Sequence, residues 1–395
     1  AKDRLDENGF TELFEGDKWD VQNDGKYYVI RNSSSIIAFE MPKKDFGAFM
    51  ICASHTDSPS FKLKPDFEIN ADGCIKLSVE GYGGMIMSSW LDRPLSISGR
   101  IVTAKDGKVE TKLVNIDRDL LVIPSLAIHM SRDINKGYEF NIRRDMCPIA
   151  SEKNGRIEDI IAENVGVDKE EILGFDLSLY NRMRGTVLGT DGEYFSAPRI
   201  DDLQCMYSTL EGFLNSESDD NVTVFAAFDN EEVGSGTKQG AKSSFLRDVL
   251  ERICNNSETY KRAVAKSFML SCDNAHAVHP NFADKSDGTN RVYMNGGIVI
   301  KYNANQRYTT DAVSEAVVKY VCKNAGVPYQ MYANRSDIPG GSTLGNLSNE
   351  KVSLNTADIG LAQLAMHSSY ETAGSRDTEY MVKMIKEFYK TEIVL

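Results

Sequence analysis

Apolar residues in this chain gather in short runs that end in polar, chemically active groups. Ala48-Phe-Met-Ile-Cys-Ala-Ser54 leads into His55-Thr-Asp57, and Val222-Thr-Val-Phe-Ala-Ala-Phe228 leads into Asp229-Asn-Glu-Glu-Val-Gly-Ser235. Phe268-Met-Leu-Ser-Cys272 runs into Asp273, and Leu361-Ala-Gln-Leu-Ala-Met366 runs into His367. Continuous apolar runs of this length, bounded by polar residues, predict strands buried on both faces of an α/β sheet. Helical spacing appears at Leu203, Met206, Tyr207, Leu210, Phe213 and Leu214, and again over 241–254 and 311–325. Asp201, in Arg199-Ile-Asp-Asp-Leu203, therefore falls at a helix N-terminus.

The middle of the chain has a different texture. From about Gly73 to Thr190 the pattern is β-like, with alternation at Ile75, Leu77 and Val79 and again over 97–102. Lys105-Asp-Gly-Lys108 reads as a hairpin turn. The glycines of Gly81-Tyr-Gly-Gly84 predict a bulge or a close backbone approach, and no phosphate-loop motif is present. Segment 151–185 is charged, with weak helical spacing. The expected fold is α/β, with one domain built from residues 1–72 and 191–395 and a β-rich unit, 73–190, inserted into it. At 395 residues the chain is longer than one core usually supports, which fits two domains.

Composition narrows the function. A net charge of −13 argues against a nucleic-acid surface, and no apolar run approaches a membrane span. The chain as given shows no basic, apolar leader, and its seven cysteines form no CxxC pair. Buried thiols in a reducing, cytoplasmic setting are expected.

Four strand ends carrying His, Glu, Asp and His predict a shared site, because ligands of open α/β sheets bind at the carboxyl ends of strands. Glu231 and Glu232 are adjacent carboxylates that repel each other, and a divalent cation compensates such a pair best. Residue pattern alone does not tell which of the two would bind metal.

Taken together, several strings resemble the aspartyl aminopeptidase family: His55-Thr-Asp-Ser-Pro59, Pro198-Arg-Ile-Asp-Asp-Leu203, Asp229-Asn-Glu-Glu-Val-Gly-Ser235, Asp273-Asn-Ala-His-Ala-Val-His-Pro280 and Ala365-Met-His-Ser368. Leu126-Ala-Ile-His-Met130, Ile300-Lys-Tyr-Asn303, Asn305-Gln-Arg-Tyr308 and Pro339-Gly-Gly-Ser-Thr-Leu-Gly345 extend the likeness in the family's order over nearly the whole chain. It begins inside what resembles the family's first helix, so a short preceding segment is expected. The resemblance implies a mixed-sheet metallo-exopeptidase domain, an inserted dimerisation domain and a tetrahedral homododecamer built from dimers. It implies two divalent metal ions per chain, zinc first, with manganese or cobalt compatible with the same donors.

Carried over residue by residue, the resemblance gives one metal to His55, Asp201 and Asp273 and the other to Asp201, Glu232 and His367, with Asp201 bridging. Glu231 is left as the general base. Asp57 becomes the partner that fixes the tautomer of His55, which a two-residue strand spacing permits. His129, in the insertion, is implied to reach a neighbouring subunit's active site and bind substrate or the developing oxyanion. His276 is implied as a substrate contact and His279 as structural, although His-x-x-His is also a helical metal spacing. Lys301, at the end of Ile298-Val-Ile300, is implied to recognise an acidic side chain at the substrate's N-terminus.

Two departures from the family pattern, Gly340 in place of an expected cysteine and Ser-Ser-Tyr-Glu-Thr after His367, bear on that acidic preference. A neutral, leucine-like preference, a related dinuclear deacetylase or carboxypeptidase, and a scaffold with a vestigial metal site remain open at this level. Intact Glu231 counts against the scaffold, since a structural metal needs no base.

Overall fold

The computed structural model describes residues 1–105, 107–152, 155–216, 220–254 and 256–393. Its centre is a nine-stranded sheet in the order Thr11–Glu12, Lys26–Arg31, Ser35–Glu40, Val222–Phe228, Phe49–His55, Phe268–Cys272, Asn355–Gly360, Ile298–Tyr302 and Tyr329–Ala333. The strands Val222–Phe228, Phe49–His55, Phe268–Cys272 and Asn355–Gly360 run parallel, so their carboxyl ends emerge together. Phe228 lies opposite His55 in the ladder, which brings the Glu-Glu corner beside the first histidine.

Their apolar runs are continuous because both faces are covered. Met50, Cys52, Phe225, Ala227 and Leu270 pack on one face with helices Ile200–Leu214, Ala312–Ala325 and Asp377–Lys390. Phe49, Ile51, Ala53, Val224 and Met269 point the other way, toward helices Phe245–Ile253 and Ser257–Lys266. Period-two alternation thus feeds two cores from one strand. Asp311 caps the Ala312–Ala325 helix, its side chain accepting from Ser314 N while the Ser314 hydroxyl accepts from Asp311 N.

Leu361–Met366 is not a further strand of that sheet, contrary to the pattern reading. The buried strand is Asn355–Gly360, and the chain then crosses into a five-stranded sheet through Ala362–Leu364. The apolar run continues unbroken because both layers bury it. Gly360 permits the crossing, since a Cβ there would lie 1.9 Å from the Asp273 carbonyl oxygen. Positive φ at Ala365 and His367 then turns the histidine back toward the other three ends.

A six-stranded antiparallel sheet has its own core, built on Phe61, Val79, Ile97, Leu177, Trp90 and helix Ile157–Val165. It opens with Ser60–Ala71, ahead of the boundary at 73, because Pro65-Asp66 breaks the alternation that would have revealed the strand. The 151–185 segment is likewise only partly helical: Ile172–Asn181 is an inner strand paired along most of its length with Leu95–Lys105. The hairpin is borne out by the pairing of Lys105 with Lys108, Asp106 lying outside the described residues. No helix among the described residues is long and apolar enough to cross a membrane.

Helix Ile200–Leu214 is seated against Asp377–Lys390 at Gly212, where an added Cβ would come within 2.5 Å of Ile385. Alanine ordinarily favours a helix over glycine by roughly 0.5–1 kcal/mol. Here the overpacking should win, and Gly212→Ala should cost about 1–3 kcal/mol net, read as a lower urea midpoint. A raised midpoint would show that the two helices do not meet at this residue.

Candidate metal centre

His55 ends its strand with its side chain almost fully enclosed, 1% exposed. Its backbone N–H donates to Asp202 Oδ2 at 3.1 Å, and its Nδ1 lies 3.1 Å from the Asp57 carbonyl oxygen. That carbonyl accepts the Nδ1 proton, which leaves Nε2 with a free lone pair directed into the cleft. His367 is presented the same way, its Nδ1 lying 2.7 Å from the Gly84 carbonyl. Both rings therefore offer Nε2, the form in which imidazole binds metal.

Asp201 lies between them. Its Oδ1 is 3.4 Å from His55 Nε2, and its Oδ2 is 3.5 Å from His367 Nε2. Glu232 Oε2 is 3.4 Å from His367 Nε2, and Asp273 Oδ1 is 4.0 Å from His55 Nε2. Two donors bound tetrahedrally to zinc at roughly 2.0–2.1 Å stand about 3.4 Å apart. Three of these four separations match that edge, and the fourth is wider by about half an ångström. Asp201 Oδ1 and Glu232 Oε1 are buried without a hydrogen-bond partner among the described residues, as atoms reserved for a cation would be. His55, Asp201, Asp202 and Asp273 form one group able to hold an ion; Asp201, Glu232 and His367 form another. A third such group, His55 with Glu231 and Glu232, overlaps both.

The electrostatics point the same way. Burial and the neighbouring carboxylates push Glu231 up to about 7 and Glu232 up to about 9. Burial works against the His367 cation, yet Asp201 and Glu232 raise its pKa to about 9. The protein alone cannot carry every one of these negative charges, and divalent cations would relieve the strain.

The backbone around the site is held by groups that the pattern reading missed. His55 Nδ1 faces both groups of Asp57, the main-chain carbonyl at 3.1 Å and carboxylate Oδ1 at 3.4 Å. The carboxylate also accepts from Tyr82 Oη at 2.6 Å, Glu231 N at 3.1 Å and Glu232 N at 3.2 Å, so it fixes the Glu-Glu corner. Burial opposes its ionisation, but His55, Tyr82 and the Glu232 N–H bring its pKa below the ordinary value. Glu371, 2% exposed, accepts from Asp201 N at 3.0 Å and His367 N at 2.7 Å and ties two candidate ligands together. The glycines at 81–84 are the close approach that their spacing predicted. Gly83, at φ +72°, leaves only 3.1 Å between a notional Cβ and Glu232 Cβ.

Asp201 and Asp202 depart from helical φ/ψ although they open the Ile200–Leu214 helix, and the peptide between them is cis. On that helix Tyr207, expected on the apolar face, is exposed, while Gln204, Cys205, Ser208 and Thr209 are buried.

A cleft of about 140 Å³ opens over the cluster, lined also by His276, Lys301, Tyr308 and Tyr332. Lys301 is buried rather than snorkelling: its Nζ donates to the Asn274 carbonyl at 2.8 Å and lies 3.6 Å from Asp273 Oδ2. Burial opposes its charge, and Asp273 restores it, holding the pKa above the ordinary lysine value. His276 sits on the short strand Ala275–His276 and His279 in a loop, so the two do not share a helix face. His279 Nδ1 accepts from Asn281 N and its ring packs on Phe282. His129 is exposed in a turn of the 124–137 loop, and no described residue of that loop lines the cleft. Gly340 stands where a Cβ would lie 2.4 Å from Asn334 Oδ1, so the asparagine fills the space a cysteine would need.

Comparison with known proteins agrees with this chemistry. Residues 1–389 match the family described as Aminopeptidase I zinc metalloprotease (M18). The chain is 45% identical over 406 aligned residues to a probable M18 family aminopeptidase 2 of Clostridium acetobutylicum, covering 98% of this chain and 93% of that protein. It is 38% identical to a Pseudomonas savastanoi protein of the same name, over 96% and 91% of the two chains. Among solved structures, a chain of the Ape4 and Nbr1 complex superposes with a TM-score of 0.95 at 35% identity, over 98% of this chain and 81% of that one. The S. cerevisiae mApe1 dodecamer gives 0.84 at 28% identity, over 98% and 91%. The chain thus belongs to the M18 family and is a zinc metallo-aminopeptidase, a hydrolase that releases N-terminal residues from peptides.

Proposed function

We propose that the enzyme uses two divalent ions, one held by His55, Asp201 and Asp273 and the other by Asp201, Glu232 and His367, with acidic N-terminal residues as preferred substrates. The observation that carries this reading is the division of Asp201, whose two oxygens face different imidazoles at 3.4 and 3.5 Å. Bound there, such ions would polarise the scissile carbonyl and lower the pKa of a water toward about 7. Zinc fits the nitrogen and carboxylate donors, and so do manganese and cobalt.

Glu231 moves the proton. No described residue hydrogen-bonds to its carboxylate, which lines the cleft, while its backbone is fixed by Asp57. It takes a proton from the attacking water and delivers it to the leaving amine. Glu231→Gln should therefore keep both metals and lose turnover by roughly 10²–10⁴-fold. Asp201→Asn should instead lower the tightly bound metal below one per chain, as measured by elemental analysis. Loss of a metal in the glutamine variant would mean that the two glutamates have exchanged roles. Comparing free-amino with N-blocked aspartyl substrates tests the exopeptidase reading directly.

The inserted six-stranded sheet is proposed to build dimers, and the dimers to assemble into a dodecamer, the oligomer described for the mApe1 structure. Val109 and Leu113 on its edge strand are 73% and 75% exposed, and Leu126, Ile128 and Met130 flank His129 in the open. His129 would then complete a neighbour's site. Mixed oligomers of His129→Ala and Glu231→Gln chains, each inactive alone, should recover activity at interfaces that pair one intact residue of each kind. No recovery in demonstrably mixed oligomers would assign His129 a role within its own subunit or in structure. Seven free cysteines, several buried, favour a reducing, cytoplasmic setting.

Lys301 sets the acidic preference, helped by Tyr308 and with His276 at the cleft wall. Because Lys301 also faces Asp273, its removal should depress every substrate somewhat. The ratio of kcat/KM for acidic over leucine substrates cancels that common loss. It should fall roughly ten- to a hundred-fold in Lys301→Ala, the worth of a charge-assisted hydrogen bond. An unchanged ratio would falsify the specificity role.

A further inference from the structure

Behind the metal centre, between the six-stranded sheet and the catalytic body, lies a second cavity of about 250 Å³. One wall is a row across three adjacent strands. Ser98 pairs with Ser178, and Ser178 with Lys62, so the three side chains project from the same face of the sheet into this space. Ser60, two residues before Lys62, joins them. The facing wall is Arg199 of the catalytic body.

The donors of this cavity are unused. Among the described residues the Arg199 guanidinium makes no hydrogen bond and no ion pair, and its recorded contact is the Tyr180 ring at 5.9 Å. Lys62 likewise has no carboxylate partner; its Nζ lies 4.7 Å from the centre of the Tyr82 ring. The hydroxyls of Ser60, Ser98 and Ser178 have no hydrogen-bond partner either. Three carboxylates also border the cavity, but two are already satisfied. Asp57 accepts from Tyr82 and two backbone N–H groups, and Glu371 accepts from Asp201 N and His367 N. Asp229 accepts from Asn230 N at 2.7 Å. Besides the second Asp229 oxygen, the groups left open are two cations and three hydroxyls, a donor set that suits an anion with several acceptor oxygens.

We propose that this seam binds a tetrahedral oxyanion of the sulfate and phosphate class between Arg199 and the Lys62–Ser178–Ser98 row. An anion there would fasten the inserted sheet to the catalytic body, since its two cationic partners come from opposite sides. The site is separate from the metals, and its test does not depend on the reading of catalysis.

The zinc-loaded, full-length protein would be titrated with sodium sulfate in a calorimeter, with sodium nitrate as a planar, singly charged comparison. Sulfate should bind saturably, in the millimolar range or tighter, and nitrate much more weakly. Arg199→Gln and Lys62→Gln should each weaken sulfate about ten-fold or more, as expected when one charge-assisted partner is lost. Ser178→Ala should weaken it less, and it keeps the test alive if a charge variant fails to fold. Lys383→Gln, on an exposed helix face paired with Glu379, should leave it unchanged. Sulfate also raises Tm in most proteins by exclusion from the surface, so the second readout is the difference between parent and variants. The parent should gain more in Tm than Arg199→Gln at equal sulfate. No saturable binding, or equal binding by parent and all variants, marks an adventitious ion only and overturns the proposal.

Discussion

Repulsion among carboxylates brought together at the ends of parallel strands is the constraint on which the rest of this structure depends. His55, the Glu-Glu corner and Asp273 emerge side by side because Phe49–His55, Val222–Phe228 and Phe268–Cys272 are neighbours in one sheet. The fold then neutralises what it has concentrated. Asp57 and Glu371 are surrounded by N–H and O–H donors, and Lys301 stands beside Asp273. Asp201 and Glu232 each keep a buried oxygen with no hydrogen-bond partner among the described residues. Apart from Lys301 beside Asp273, the donors are spent on the supporting carboxylates and withheld from Asp201 and Glu232. That division separates a cation site from a merely acidic pocket.

Much of this was legible in the chain, for a physical reason. A strand buried on both faces must be apolar throughout, so its end is marked by an abrupt return to polar residues, as at His55 and Asp273. The same rule misled at Leu361–Met366, where two layers bury consecutive segments and the run hides the crossing between them. The opening of the six-stranded sheet was masked by Pro65, which interrupts the alternation without ending the strand. Tyr82 and Glu371 gave no local signal, since their importance lies in which backbone N–H or carboxylate they meet across the molecule. His276 and His279 show the converse: their His-x-x-His spacing puts them on no common face, because one sits on a short strand and the other in a loop.

The order of Glu231 and Glu232 illustrates how much geometry adds to pattern. Adjacent residues on a tight turn point in different directions, and Asp57 holds that turn by both of its N–H groups. Glu232 is brought to His367, and the Glu231 carboxylate has no hydrogen-bonding neighbour among the described residues. Both residues lie within reach of His55, so their chemistry separates only through the company each carboxylate keeps.

The contact of the 82–86 segment with the metal centre has a consequence for how this architecture can change. Tyr82 orients Asp57, the Gly84 carbonyl fixes the tautomer of His367, and Ile86 N donates to the His367 carbonyl at 2.9 Å. The inserted sheet is thus continuous with the active-site wall. Deleting it or exchanging it for another module would release a histidine and a carboxylate as well as an interface. Changes in its outer strands leave these contacts untouched, whereas the few residues at its inner margin hold His367 and the Asp57 carboxylate in place.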